Sequence, residues 1–191
     1  SQLPEVFSLC RVNSEWETSF KDWNDVIKLN VPLDQPVFRK DLLEFEQRFA
    51  RQYFQTIRNT LYKYDSNHLY LGCRFTRKLI PEHICSIAGE NCDVITVNVY
   101  AWAPTEEVMG EWFRRTGKPV LIGEHHINLA SDRQVPALWG ATPPEERRQY
   151  YKNYVETWAK IPWSLGCHWY QFTDQDITGR VSNGENQPVG L

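Results

Sequence analysis

The sequence predicts an α/β fold built from successive β/α units around a parallel sheet, and three observations carry that expectation. Four apolar runs, at residues 68–75, 93–100, 119–126 and 165–172, are separated by stretches with helical spacing, the pattern of strands joined by crossover helices. Hydrophobic residues make up 41% of the 191 and charged residues 24%, which suits a globular chain with one core. No Gly/Ser-rich linker or low-complexity tract interrupts it, so residues 1–191 read as one domain.

The elements follow in order. Between residues 14 and 27, Trp16, Phe20, Trp23 and Ile27 recur at helical spacing with Ser14 placed as an N-cap, which predicts one short amphipathic helix or a pair of turns. A Pro-containing connection at 31–36 leads to the longest helix, about 37–64. There Phe38, Leu42, Phe45, Phe49, Tyr53, Ile57, Leu61 and Tyr64 stand three or four residues apart. Asp65-Ser66-Asn67 ends it. Between the four strands, helices are expected at 81–89, 105–116 and 143–160. The last opens Thr-Pro-Pro-Glu-Glu, which combines a cap residue, first-turn prolines and early acids.

A buried parallel strand is normally apolar on both faces, so polar residues toward its C-terminal end call for a reason. In the second strand Thr96, Asn98 and Tyr100 alternate with Ile95, Val97 and Val99; the first set points away from the helices if the second packs on them. The third strand ends in Glu124 after an apolar run, and Glu is almost never fully buried without a partner. The fourth places Trp169 and Gln171 on one face, and the first ends in Cys73-Arg74-Phe75. Because parallel α/β folds carry their sites at the C-terminal strand ends, Arg74, Asn98, Tyr100, Glu124, His126 and Trp169 are candidates to converge there. Taken singly, most have ordinary structural readings: Arg74 paired to a loop carboxylate, Asn98 as a helix cap, Tyr100 and Trp169 as core aromatics. Glu124 resists one.

Composition removes several classes. Lys+Arg number 21 against 24 Asp+Glu, a net charge of -3, so no positive field stands ready for a phosphate backbone and nucleic acid is not an expected partner. No run reaches the roughly 20 apolar residues of a bilayer span, and residues 1–11 lack a signal-peptide layout, so no membrane partner and no cellular address are read. The five cysteines form no C-x-x-C pair and leave an odd one out, against a zinc knuckle or disulfide framework. His125 and His126, even with His168, lack H-E-x-x-H spacing and would point to opposite faces, so no metal site is expected. Aromatic residues, 14% with 8 Trp, suit flat apolar ligands such as sugar rings.

The runs at 65–75, 93–100 and 117–124, with 168–175, 178–180 and 184–186 after them, resemble the later strands of clan A glycoside hydrolases, in the group of β-agarases and β-galactosidase-like enzymes. The resemblance covers nearly the whole chain and is specific for the clan more than for the sugar cleaved. It implies a (β/α)8 TIM barrel of which this chain holds the C-terminal half, with an excursion and helix in residues 1–67 and strands five to eight in 68–191. A complete barrel typically needs about 250 residues. Glu124 then matches the nucleophile of a retaining enzyme acting on β-linked galactose-containing poly- or oligosaccharide. Tyr100 and His126 would orient it, Trp169 would floor a sugar subsite, and Arg74, Asn98, Gln171, Asp174 and Gln175 would read hydroxyls. The acid/base Glu of the clan follows an Asn after strand four. Asn13-Ser14-Glu15 has that order but no strand before it, and Glu15 reads as an early acid of a helix, so the acid is expected upstream of this chain. His125 stands where an aromatic is more usual, which alters the expected subsite. The resemblance calls for no cofactor; it implies a carbohydrate partner, with the missing half-barrel or a second copy covering the open sheet, and a secreted or periplasmic setting. The alternative is a non-catalytic carbohydrate-binding or scaffold protein. A different barrel enzyme using Glu124 as a general base is a further rival.

Overall fold

The computed structural model describes residues 8–29, 36–76, 80–129 and 141–191; the predicted connection at 31–36 lies almost wholly outside them, as do the first seven residues. Two compact units are present, Ser1–Phe49 and Ala50–Leu191, where the sequence reads as one domain.

In the first unit, α1 (Leu9–Glu15) and α2 (Trp23–Ile27) are followed by the start of α3 (Pro36–Tyr64). The expectation of Ser14 as an N-cap and Glu15 as an opening acid is corrected. Ser8 caps α1 by accepting from the Arg11 amide, and Glu15 is the last helical residue, paired to Arg11 at 2.8 Å. The physical reason is Asn13, whose side chain accepts from the Phe20 amide and the Thr18 hydroxyl and donates to the Phe20 carbonyl. Those bonds offer the backbone an alternative to helix, so of the periodic run Trp16 to Ile27 only Trp23–Ile27 is helical. Asp41, nearly buried on α3, receives Arg11 at 2.7 Å and the Trp16 indole N–H at 3.0 Å, while Trp16 meets Phe38 edge-on.

The second unit holds a four-stranded parallel sheet, β1 (Arg74–Thr76), β2 (Ile95–Asn98), β3 (Val120–His125) and β6 (Ser164–Trp169), in that spatial order. A short parallel pair, β4 (Asn128–Leu129) and β5 (Ala141–Thr142), lies apart from it and was not expected from the sequence. Crossovers run through α4 (Glu82–Asn91), α5 (Glu106–Thr116) and α6 (Pro144–Ala159), close to the predicted limits. Strands that neighbour each other in chain order, joined by crossovers of one hand, put their helices on one side of the sheet. That side is the core: Val97, Val99, Val120 and Ile122 pack with Cys85, Ile87, Met109, Trp112, Tyr154 and Trp158. Thr96 and Leu121 belong to the opposite face. No helix among the described residues is long and apolar enough to cross a membrane.

Two elements depart from expectation. The first strand is only three residues long because Gly72 adopts a left-handed φ of 69°, and the Tyr70 backbone before it is tied to Asp93 in both directions, at 2.8 and 2.9 Å. On α3 the predicted apolar line is not one buried stripe: Phe38, Ala50 and Phe54 are buried, whereas Phe45, Phe49, Tyr53 and Tyr64 are exposed. At about 100° per residue, Phe45 and Phe49 stand within about 20° of Phe38 around the helix while Ala50 and Phe54 stand about 120° and about 160° from it, so the buried side of α3 changes along its length and no single line follows it.

Candidate active site

The C-terminal end of the sheet gathers several of the predicted residues. Glu124, the fifth residue of β3, faces away from the helices and is mostly buried, with 19% of its side chain exposed. Arg74, at the start of β1, donates from Nη1 to Glu124 Oε1 at 2.5 Å, and the Tyr100 hydroxyl donates to Oε2 at 2.6 Å. Both carboxylate oxygens are thus held, one by a cation and one by a phenol. Burial, followed by the hydrogen bond to this carboxylate, pushes the Tyr100 phenol well above its ordinary value, so it stays protonated and able to donate. Asn98 pairs in register with Glu124, and its Oδ1 has no hydrogen-bond partner among the described residues.

His126 lies in this group, but not as a donor to Glu124. Its buried ring packs edge-on against Tyr100, with centroids 4.9 Å apart, and 6.0 Å from the Tyr170 ring. Burial, then the charge of Arg147, lowers its pKa to about 4. His125 points the other way, stacked on Tyr154 of α6 at 4.0 Å with planes 3° apart, and burial lowers its pKa to about 3. The alteration of the subsite expected from His125 therefore has no direct route: the ring is in the helix-side core.

Trp169 is also on the helix side, which corrects its expected place as the floor under a sugar. It pairs with His125 across β3 and β6, meets that ring and Tyr151 edge-on, lies under the Arg147 guanidinium at 5.0 Å, and donates its indole N–H to the Val189 carbonyl at 2.8 Å. Alternation predicts Gln171 on the same face as Trp169. The chain leaves the strand at Trp169, and Gln171 instead lines a polar groove of about 360 Å³ with Thr173, Asp174, Gln175, Asp176, Arg180 and Glu185. Asp174 and Gln175 border that groove while also pinning the chain that follows: Asp174 Oδ1 accepts from the Gly190 amide and Gln175 Oε1 from the Gln187 amide, each at 2.7 Å.

Sequence reasoning gave no role to Tyr170, or to Arg180 and Glu185 of the loop after it. Arg180 donates to the Tyr170 hydroxyl at 2.9 Å and pairs with Glu185 at 3.2 Å, which makes Glu185 a second carboxylate whose charge Tyr100 and His126 both feel. The available signal was alternation: if Trp169 faces the helices, Tyr170 does not. Among the described residues no group of three His, Cys, Asp or Glu is placed to hold a metal ion. The cysteines are all free, and burial raises Cys85 to about 11 and Cys92 to about 12, which makes both inert thiols. Chemically, the arrangement offers one carboxylate fixed at both oxygens at the mouth of a parallel sheet, and a polar groove formed by the chain that follows β6.

No family model matches the chain. Among curated proteins it is similar to β-agarase B of Vibrio sp. (strain JT0107), 33% identical over 156 residues that cover 80% of this chain and 16% of the agarase. It is also similar to β-agarase A of the same strain, 29% identical over 185 residues, covering 94% of this chain and 19% of that protein. The solved structure of an exo-β-agarase matches with a TM-score of 0.76 and 29% identity, over 96% of this chain and 25% of its own. The chain thus spans less than a fifth of the length of these curated relatives. The relatives and neighbours support a glycoside hydrolase family, and the α/β sheet is shared with glycoside hydrolase domains.

Proposed function

We propose that this chain supplies the nucleophile side of a retaining, agarase-like β-glycosidase acting on β-linked galactose-containing poly- or oligosaccharide. The observation that carries the reading is Glu124 at the C-terminal end of β3, held at both oxygens by Arg74 and Tyr100. That is where parallel barrels place reacting groups. The sequential order of the parallel strands fits half of a closed barrel whose remaining strands complete the inner face.

In the proposed reaction a Glu124 carboxylate oxygen attacks the anomeric carbon as the glycosidic C–O bond breaks, and a second carboxylic acid gives its proton to the departing oxygen. That same group then takes a proton from water, whose oxygen displaces Glu124 from the glycosyl ester. Retaining geometry sets the two carboxyl groups about 5 to 5.5 Å apart. Glu185 is engaged by Arg180, so the acid/base role is assigned to a carboxyl group of the completing strands. Tyr100 and Arg74 fix the attacking oxygens before reaction, which reduces the orientational part of the barrier. Tyr170, Gln171 and the groove beside them are assigned to the sugar's hydroxyls and ring face. Replacing Glu124 by Gln in the full-length protein tests this: turnover of agaro-oligosaccharide is lost while the fold is kept, and activity near wild type would overturn the assignment.

A further inference from the structure

Strand β3 carries one residue more than either neighbour near its C-terminal end. Against β2, Val97 pairs with Ile122 but the next residue, Asn98, pairs with Glu124; against β6, Cys167 pairs with Ile122 and Trp169 with His125. Cross-strand partners share a face, and strict alternation would give Glu124 the face of Ile122, which is fully buried in the helix-side core. One extra residue reverses the alternation, so Glu124 joins Asn98 and His125 turns to Tyr154.

The extra residue is Gly123, and its lack of a side chain is what the surroundings demand. A Cβ there would stand 2.7 Å from Thr96 Cγ2, 2.9 Å from Asn98 Oδ1 and 3.1 Å from Arg74 Cδ. Its backbone lies outside the left-handed region, so the requirement is for space, not for a glycine-only conformation. The side chain filling that space includes the stem of Arg74, the same residue that holds Glu124 Oε1.

We propose that Gly123 is a positioning residue for Glu124: its missing side chain lets the bulge close beneath Arg74 and Asn98, and so delivers the carboxylate to the Arg74 and Tyr100 donors. The effect on turnover rests on Glu124 being the reacting carboxylate; the effect on placement does not. Thr96 supplies a means of relief. Its hydroxyl donates to the Leu71 carbonyl at 2.9 Å, so Thr96→Ser keeps that bond and removes only the methyl group nearest to a Cβ at position 123.

The experiment is a double-mutant cycle on thermal stability in the full-length protein, with Gly123→Ala and Tyr100→Phe, repeated in a Thr96→Ser background. If Gly123 places Glu124, Tyr100→Phe lowers the melting temperature clearly in the parent and by less than half as much beside Ala at 123, because the carboxylate has already left Tyr100; Thr96→Ser restores much of the difference. In turnover, Gly123→Ala lowers kcat by roughly 10- to 100-fold, the penalty of a reacting group misplaced by about 1 Å, with KM little changed and partial recovery on adding Thr96→Ser. If Gly123→Ala does not fold alone, the cycle is read in the Thr96→Ser background. Additive melting shifts, or no recovery with Thr96→Ser, overturn the proposal. Coupled melting shifts with turnover unaffected by Glu124→Gln would uphold Gly123 as the residue that places Glu124 and overturn the glycosidase mechanism instead.

Discussion

Replacing His125 by Phe should make the fold markedly less sensitive to acid. The ring is fully buried, stacks face to face on Tyr154, and has no hydrogen-bond partner for either nitrogen among the described residues. Burial, with the neighbouring His126 and His168 adding to it, lowers its pKa to about 3, against about 6.5 in the unfolded chain. Below pH 6.5 the unfolded chain therefore takes up a proton that the folded one refuses, and stability falls as pH drops from 6.5 toward 3. Linkage puts the loss between pH 7 and pH 5 at about 2 kcal/mol for His125. His126, lowered to about 4, loses a similar amount over the same interval. Phe keeps the stack and has nothing to protonate, so His125→Phe should be close to neutral at pH 7 and recover about half of the combined acid loss. For a chain of this size that corresponds to a melting temperature about 4 to 8 °C above wild type at pH 5. The assay is differential scanning calorimetry or circular dichroism melting in buffers from pH 7.5 to pH 4.5. Melting curves that fall with pH as steeply in the variant as in wild type would refute the buried, neutral state of His125.

Two further substitutions separate roles around the sheet. Tyr100→Phe removes the hydrogen bond to Glu124 Oε2, a bond to a charged group worth about 1.5 to 3 kcal/mol, so kcat/KM should fall roughly 10- to 150-fold without loss of fold, as read by steady-state kinetics on agaro-oligosaccharide. An unchanged kcat/KM would remove Tyr100 from the reacting group's support. Trp169→Phe deletes the indole donor to Val189 and weakens the stack under Arg147, so it should lower stability by about 1 to 2 kcal/mol while KM stays within about twofold. A large KM increase with unaltered melting would return Trp169 to the sugar site.

How much of this was legible in the sequence depended on which physical signal each residue carried. The range expected for α5 agrees with chemistry its sequence carries: Thr105 stands before Glu106 and Glu107 at its start, and Gly117, at a φ of 65°, closes it. The opening of α6 is read directly from its chemistry, in Pro143, Pro144 and the acids after them. Alternation placed Thr96 and Asn98 on the right face of β2, and it sent His125 and His126 in opposite directions. It misplaced Trp169 because partner identity across the strands, here His125, decides which face a residue joins, and register is a property of pairs that one strand's pattern does not contain. Glu124 stood out as a polar end to an apolar run, yet the device that turns it, the bulge at Gly123, is visible only when β3 is aligned with both neighbours. The loss of helix over the first part of the Trp16 to Ile27 run is hidden for a related reason, since Asn13 acts on the Phe20 backbone seven residues away.

The role of Glu124 is tested most directly by incubating the full-length protein with an activated 2-deoxy-2-fluoro-β-galactoside and mapping the label by peptide mass spectrometry. A retaining enzyme with this nucleophile releases about one equivalent of leaving group and carries the fluorosugar on Glu124 as an ester. A label on another carboxylate, or no label from a preparation that hydrolyses agarose with inversion at the anomeric carbon, would contradict it.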